Sequence, residues 1–123
     1  MARILVIDDN DEFRKMLNRM LTQNGYEVIE ASHGKAGLKL YNKDQIDLVI
    51  TDIFMPEKEG TETVLELKKI NPDIKIIVVS GGGAHRQFRY LDNMIEFGAQ
   101  KVFEKPFDSK EFLASITELL EAE

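Results

Sequence analysis

The stretch RILVIDD at residues 3–9 decides the fold, because an unbroken apolar run ends in two acids. Such a run is typical of a strand buried on both faces of a parallel sheet. Apolar residues then recur at helical spacing, at Phe13, Met16, Leu17, Met20 and Leu21. Asn10 and Asp11 suit the N-cap of that helix, and Gly25 suits its end. The segment therefore predicts a buried strand followed by a helix.

The same cycle of strand and helix repeats along the chain. Further strands are predicted at YEVIEA (26–31), IDLVITD (46–52), IKIIVVS (74–80) and QKVFEK (100–105). Further helices are predicted over 34–42, around 64–70, around 88–95 and, after Asp108 or Ser109 as N-cap, around 112–120. Strict alternation with short connections favours right-handed crossovers. The sequence thus predicts a doubly wound α/β fold in which five helices cover both faces of a five-stranded parallel sheet.

Length and composition exclude several classes of protein. A chain of 123 residues predicts a single domain, 1–123. The absence of cysteine excludes a disulfide scaffold and a thiolate zinc site, and agrees with a reducing compartment. The net charge of -6 disfavours nucleic-acid binding. No apolar run approaches the roughly 20 residues that span a bilayer, so we expect a cytoplasmic chain with no membrane contact.

Polar side chains collect where the predicted strands end. Asp8 and Asp9 follow the first strand, Asp52 ends the third, and Ser80 and Lys105 end the fourth and fifth. Each alone is most simply a cap, a turn residue or a surface charge, but parallel strands all end at one edge, where ligands bind. Two carboxylates about 5 Å apart repel by roughly 3 kcal/mol at an effective dielectric near 20, which calls for a cation. Oxygen donors without histidine or cysteine favour Mg²⁺.

Four short motifs resemble the receiver domain of bacterial response regulators. They are VIDDN at 6–10, LVITDIFMP at 48–56, VSG at 79–81 and KPF at 105–107. Their order and their positions at strand ends extend the resemblance over the whole chain. The resemblance implies the flavodoxin-like strand order 2-1-3-4-5. It also implies a part in two-component or phosphorelay signalling as a phosphoacceptor switch that assists its own phosphorylation and dephosphorylation, and not as an enzyme.

The resemblance also implies which residues receive the phosphoryl group and hold the metal. Asp52 is expected to be the phosphoacceptor, which takes the phosphoryl group from a phosphohistidine. Asp8 and Asp9 are expected to hold Mg²⁺ together with Asp52 and the backbone carbonyl of Phe54. The partners implied are a histidine kinase or phosphotransfer protein and a downstream target protein. The target would bind the face formed by the fourth helix, the fifth strand and the last helix.

The remaining site residues are implied to respond to phosphorylation. Ser80 is expected to hydrogen-bond a phosphoryl oxygen, and Lys105 to pair with another. Pro106 is expected to follow a cis peptide bond, which an X-Pro bond allows at low cost. Val102 departs from the family pattern, which commonly has an aromatic switch residue at that position. Phe103 cannot replace that ring, because alternation along the strand points it to the opposite face, into the core.

Two rival functions fit parts of the sequence. A small Mg²⁺-dependent aspartyl phosphatase of haloacid-dehalogenase type would use Asp9 as nucleophile and Asp11 as acid. That family needs a larger chain, and Phe13 stands where a threonine or valine is expected. A flavodoxin-like cofactor carrier would need a phosphate cradle rich in glycine and hydroxyl groups after the first strand. The acidic run DDND at 8–11 would instead repel phosphate.

Overall fold

A five-stranded parallel sheet carries helices on both faces. The computed structural model describes residues 2–42, 45–52, 60–81, 95–105 and 107–121. The strands are β1 (Arg3–Ile7), β2 (Glu27–Ala31), β3 (Leu48–Asp52), β4 (Ile76–Gly81) and β5 (Lys101–Lys105). The helices are α1 (Asp11–Gln23), α2 (Gly34–Leu40), α3 (Gly60–Ile70) and α4 (Ser109–Glu121). Residues 95–97 are also helical, and the earlier part of the helix predicted around 88–95 lies outside the described residues.

The strand order is β2-β1-β3-β4-β5, and every neighbouring pair is parallel. This confirms the predicted fold class and order. Because β1 is flanked by β2 and β3, the order reverses there and opens a crevice beyond the strand ends. Ile7 of β1 pairs with Thr51 of β3, so Asp8 and Asp52 follow neighbouring positions. The topology therefore brings the loops after β1 and β3 to the same crevice.

Each face of the sheet has its own hydrophobic core. Along β1, Ile4 and Val6 pack with α1 and α4, whereas Leu5 and Ile7 pack with α2 and α3. Burial on both faces explains why the strand is a continuous apolar run. In β5, Val102 packs against one core and Phe103 against the other. The prediction that these two side chains point to opposite faces is thus confirmed.

The helix ends follow capping chemistry. The Asn10 side chain accepts from the backbone N–H of Phe13 at 2.9 Å, and Asp108 accepts from the N–H of Lys110 at 2.8 Å. Gly25 follows the α1 C-cap with φ +89°, a conformation that favours glycine. These ends agree with the predicted caps. Among the described residues, no helix has the length and apolar character that crossing a bilayer requires.

Helix α2 is shorter than predicted, because it ends at Leu40 and not at residue 42. Tyr41 leaves the helix in an extended conformation, with φ −69° and ψ 130°. Its side chain packs against the core under α2 and α3, and its hydroxyl accepts a hydrogen bond from the Asn71 side chain at 3.1 Å. Tertiary contacts of Tyr41 therefore accompany the end of the helix, which helical periodicity alone does not reveal.

Candidate functional site

Three carboxylates meet beyond the ends of β1 and β3. Asp8, Asp9 and Asp52 each offer an oxygen, and these oxygens lie within 4.8 Å of one another. Asp8 is 0% exposed and Asp52 is 7% exposed, whereas Asp9 is open to solvent. We call these three acids, together with Ser80 and Lys105, the carboxyl edge. The structure thus brings together the acids that the sequence places after the first and third strands.

Lys105 brings a positive charge to these acids from the end of β5. Its Nζ atom lies 2.9 Å from Oδ2 of Asp8 and 3.6 Å from Oδ2 of Asp52. The Lys105 side chain is 18% exposed, so the ammonium is partly withdrawn from water. Three carboxylates and one ammonium leave a formal excess of two negative charges among these four groups. That excess makes the site a suitable place for a further cation.

The carboxylate of Asp8 is held at both oxygens. The backbone N–H of Asn10 donates to Oδ1 at 2.8 Å, while Lys105 donates to Oδ2. The Asp8 backbone is fixed as well, because its N–H donates to the carbonyl of Ala31 at 3.1 Å. Hydrogen bonds of this kind satisfy a buried carboxylate and fix its orientation. Asp8 is therefore oriented before any ligand arrives.

Arg14 supports the acidic loop in a way that the sequence analysis missed. Its guanidinium donates to the backbone carbonyl of Asp8 at 2.7 Å, to Glu30 at 2.8 Å and to Asp11 at 2.6 Å. Glu30 also accepts from the Asn18 side chain at 2.6 Å. Burial lowers the pKa of Arg14, but Asp11 and Glu30 outweigh it and raise the pKa overall. The spacing of Asp11 and Arg14, three residues apart on one helix, could have indicated their ion pair from the sequence. The contact with Glu30 could not have been predicted in this way, because it depends on the position of β2 next to α1.

Ser80 lies at the end of β4 and is fully buried. Within the described part of the chain, its Oγ atom has no hydrogen-bond partner. Buried hydroxyl groups without a partner are uncommon, because the loss of hydration is left uncompensated. A polar ligand at this end of the sheet would therefore find the Ser80 hydroxyl without a partner among the described residues.

Phe13 faces the same lysine from the first turn of α1. The Lys105 ammonium lies 3.9 Å from the centroid of the Phe13 ring. Beside it is a cavity of about 400 Å³ lined by Phe13, Met16, Lys105, Phe107 and Ser109. From the sequence, Phe13 was an apolar position of the helix and a mismatch to the phosphatase pattern. Its contact with Lys105 could not be predicted from the sequence, because no local pattern relates α1 to the end of β5.

Some residues implied by the resemblance cannot be placed. Phe54 and Pro106 lie outside the described residues. Most of the predicted partner face around 88–95 does so too, whereas Lys101 of that face lies 3.6 Å from Glu118 on α4. Val102 is half-buried against the core under α2 and α3. A β-branched side chain in that position has few alternative rotamers.

Residues 4–117 match the protein family described as the response regulator receiver domain. The chain belongs to this family. Receiver domains act in two-component signalling, where they take phosphate from histidine kinases, and this is the class of function of the chain. The two rival functions, the aspartyl phosphatase and the cofactor carrier, find no support in the comparisons.

Relatives and solved structures agree over nearly the whole receiver domain. It is 35% identical over 118 residues to chemotaxis protein CheY of Thermotoga maritima, which covers 95% of this chain and 96% of that protein. A crystal structure of a response regulator receiver domain protein from Clostridium thermocellum has a TM-score of 0.91 at 31% identity, and covers 98% of this chain and 94% of the other. Response regulator protein TrrA of Thermotoga maritima, in complex with Mg²⁺-BeF, has a TM-score of 0.84 at 34% identity, covering 97% and 99%.

Other relatives are much longer than this receiver domain. It spans 13% of the length of the sensor kinase CckA of Brucella abortus, at 35% identity. It spans 26% of the transcriptional regulatory protein GlrR of Escherichia coli, at 31% identity. The match to these proteins therefore concerns one segment of each.

Proposed function

We propose that this chain is a Mg²⁺-dependent phosphoacceptor switch, and that residues 1–123 form a single receiver domain. In this proposal Asp52 takes a phosphoryl group from the phosphohistidine of a histidine kinase or a phosphotransfer protein. The observation that carries it is the cluster of Asp8, Asp9 and Asp52, two of which, Asp8 and Asp52, also lie within 4 Å of the ammonium of Lys105. Two of these acids are buried, and a cluster of carboxylates that includes buried members is expected at functional sites.

The donor set fits Mg²⁺. It consists of carboxylate oxygens, it is open to solvent on the side of Asp9, and it carries excess negative charge. Asp8, Asp9, Asp52 and the backbone carbonyl of Phe54 would hold the ion. When bound, Mg²⁺ neutralises charge on phosphoryl oxygens. The presence of Mg²⁺-BeF in the structure of the relative TrrA supports this assignment.

The residues of the chain supply the nucleophile and a fixed charge. A carboxylate oxygen of Asp52 attacks phosphorus in line, so that its O–P bond forms while the N–P bond of the phosphohistidine breaks. The imidazole leaves with the electron pair of that bond. Lys105, 3.6 Å from Oδ2 of Asp52, is near enough to neutralise charge that gathers on an equatorial oxygen. The product is an acyl phosphate on Asp52.

The buried hydroxyl of Ser80 is the group proposed to sense that product. The acyl phosphate carries close to two negative charges where the carboxylate carried one, and it brings three acceptor oxygens. The Oγ atom of Ser80, which has no partner among the described residues, can donate to one of them, and glycines 81–83 follow it in the sequence. Movement of Ser80 would thus be passed to the segment that leads into the predicted fourth helix.

The proposed output is a change in contacts with a downstream target protein. The target would bind the face formed by the helix predicted around residues 88–95, by β5 and by the last helix, α4. This chain would make no nucleic-acid or membrane contact. We further propose a cytoplasmic location and no enzymatic activity on a separate substrate. Val102 leaves the usual aromatic switch position without a ring, so transmission would depend on Ser80 and Lys105.

Intact-mass spectrometry tests the proposal directly. After incubation with acetyl phosphate and Mg²⁺, the wild-type chain should gain one labile phosphoryl group, and Asp52→Asn should gain none. Asp47→Asn is the matched control, because Asp47 is an exposed acid before β3 and should leave the adduct unchanged. An equal adduct on Asp52→Asn, or none on the wild-type chain, would overturn the assignment of Asp52.

A further inference from the structure

Among the described residues, the ammonium of Lys105 contacts two kinds of side chain. The first kind is the carboxylates of Asp8 and Asp52, at 2.9 and 3.6 Å from its Nζ atom. The second is the ring of Phe13, whose centroid lies 3.9 Å from the same atom. This distance is well inside the roughly 6 Å at which the negative face of an aromatic ring attracts a cation. The ammonium is therefore held between two acids and one aromatic face.

The ring of Phe13 is itself held in place. It meets Phe107 edge to face, with centroids 5.9 Å apart and planes at 86°. Phe107 stacks on Phe112, with centroids 4.4 Å apart and planes at 18°, and Phe112 is fully buried on α4. Phe103 on β5 contacts both Phe107 and Phe112. The four rings form an aromatic cluster that ties Phe13 to the core beneath α1 and α4.

We propose that Phe13 is a positioning residue for Lys105, and this inference rests on the proposed function. The lysine side chain is a flexible four-carbon stem that ends in a compact charge. The ring face attracts this charge, so the ammonium is held within reach of Asp8 and of Asp52, the proposed phosphoacceptor. The ring is anchored through Phe107, so the position it favours is fixed relative to the sheet.

An aromatic face suits this role better than a further carboxylate would. A third acid would compete with the phosphoryl group for the ammonium and would add to the negative charge of the site. The ring attracts the cation through its quadrupole, without a full charge and without a hydrogen-bond acceptor. Lys105 can thus turn toward a phosphoryl oxygen while it stays over the ring.

The first arm of the test measures phosphorylation by acetyl phosphate at saturating Mg²⁺. A small donor is used so that docking of a partner protein does not affect the rate. Phe13→Leu keeps an apolar side chain and removes the ring, and it should lower the rate about three- to tenfold. Phe13→Tyr should restore it, since position 13 is half-buried and leaves the new hydroxyl access to water.

Phe103→Leu is the matched control. It is the same substitution in the same aromatic cluster, and the ring contacts recorded for Phe103 in the described chain are with Phe107 and Phe112. Its rate should stay within about twofold of the wild-type rate. Thermal unfolding of every variant checks that the fold persists. Should Phe13→Leu not fold, Phe13→Met removes the ring while keeping a long, adaptable side chain.

The second arm is an NMR measurement that needs no phosphodonor. Ring current from Phe13 should shift the ε-methylene protons of Lys105 upfield. The shift should disappear in Phe13→Leu and persist in Phe13→Tyr and Phe103→Leu. A Phe13→Leu chain with the wild-type rate or the wild-type shift, a Phe13→Tyr chain as slow as Phe13→Leu, or an equal slowing in Phe103→Leu would overturn the inference alone. A wild-type chain that never forms an adduct on Asp52 would overturn the proposed function first.

Discussion

The charged side chains at the two ends of the sheet differ in their burial and in their partners. At the amino edge, which we define as Arg3, Glu27, Asp47 and Lys75, charged groups have partners of their own. Arg3 pairs with Glu27 at 2.9 Å, the Arg3 backbone N–H donates to Asp47 at 2.8 Å, and Lys75 donates to the carbonyl of Leu119. Glu27 is 51% exposed, so its charge stays hydrated. Such pairs change stability little.

The carboxyl edge holds its charge under less favourable conditions. Asp8 and Asp52 are buried there, close to Asp9, and the ammonium of Lys105 pairs with Asp8 and Asp52. Burying like charges together is unfavourable for folding, so an arrangement of this kind is expected where a ligand or a reaction requires it. The balance of buried charge, and not the number of charged residues, therefore distinguishes the carboxyl edge from the amino edge.

The largest effect is expected from removing a metal ligand. Asp9→Ala takes away one of three carboxylate donors, and the Mg²⁺ dissociation constant should rise by roughly tenfold or more. Asp47→Ala removes an acid from the amino edge and should bind Mg²⁺ as the wild-type chain does. Titration calorimetry measures both. If the two variants had equal affinity, the distinction between the edges would fail for metal binding.

Removal of the lysine should separate metal binding from the response to phosphorylation. Lys105→Ala should still bind Mg²⁺ but lose most of the spectral change that beryllium fluoride induces, because the fixed cation for a phosphoryl oxygen is gone. Lys75→Ala, at the amino edge, should keep the full change. Two-dimensional NMR spectra with and without beryllium fluoride make this comparison. Shifts of the same size in Lys105→Ala and in the wild-type chain would contradict the role given to Lys105.

Neutralising an acid at the carboxyl edge should raise the free energy of unfolding, whereas neutralising one at the amino edge should leave it unchanged. Without Mg²⁺, Asp52→Asn should raise the free energy of unfolding by about 1–2 kcal/mol, because two carboxylates about 5 Å apart repel by roughly 3 kcal/mol at an effective dielectric near 20. The free energy of unfolding of Glu27→Gln should stay within about 0.5 kcal/mol of the wild-type value. Urea denaturation in the presence of a chelator measures both. A less stable Asp52→Asn would show that the buried charges are already balanced.

The smallest effect on signalling is expected at Val102, which lies along β5 between the two edges. Val102→Ala should cost about 1 kcal/mol of stability through lost packing. The amplitude of the response to beryllium fluoride should stay the same, because a short β-branched side chain has few rotamers and is too short to move between buried and exposed positions. Amide exchange with and without beryllium fluoride measures the response. A reduced response in Val102→Ala would make Val102 part of the switch after all.

Most of the fold could be predicted because its signals are local. The apolar run at 3–7 and the helical spacing after Asn10 marked β1 and α1 to within one or two residues. Alternation of strands and helices implied a parallel sheet, and the strand order came from the resemblance to receiver domains. The end of α2 at Leu40 was missed because Tyr41 is drawn into contacts with the core and with Asn71.

The candidate site, like the fold, could be predicted only in part from the sequence. The sequence by itself determined that acids, a serine and a lysine stand at strand ends, since the residue that follows a strand is a local property of the chain. Only the tertiary structure decided which of them touch. The hydrogen bond between Lys105 and Asp8 joins residues 97 positions apart, and the place of Lys105 over the Phe13 ring depends on how α1 and α4 pack on one face of the sheet. Contacts of that kind arise when separate elements bury their apolar faces together, so no local pattern encodes them.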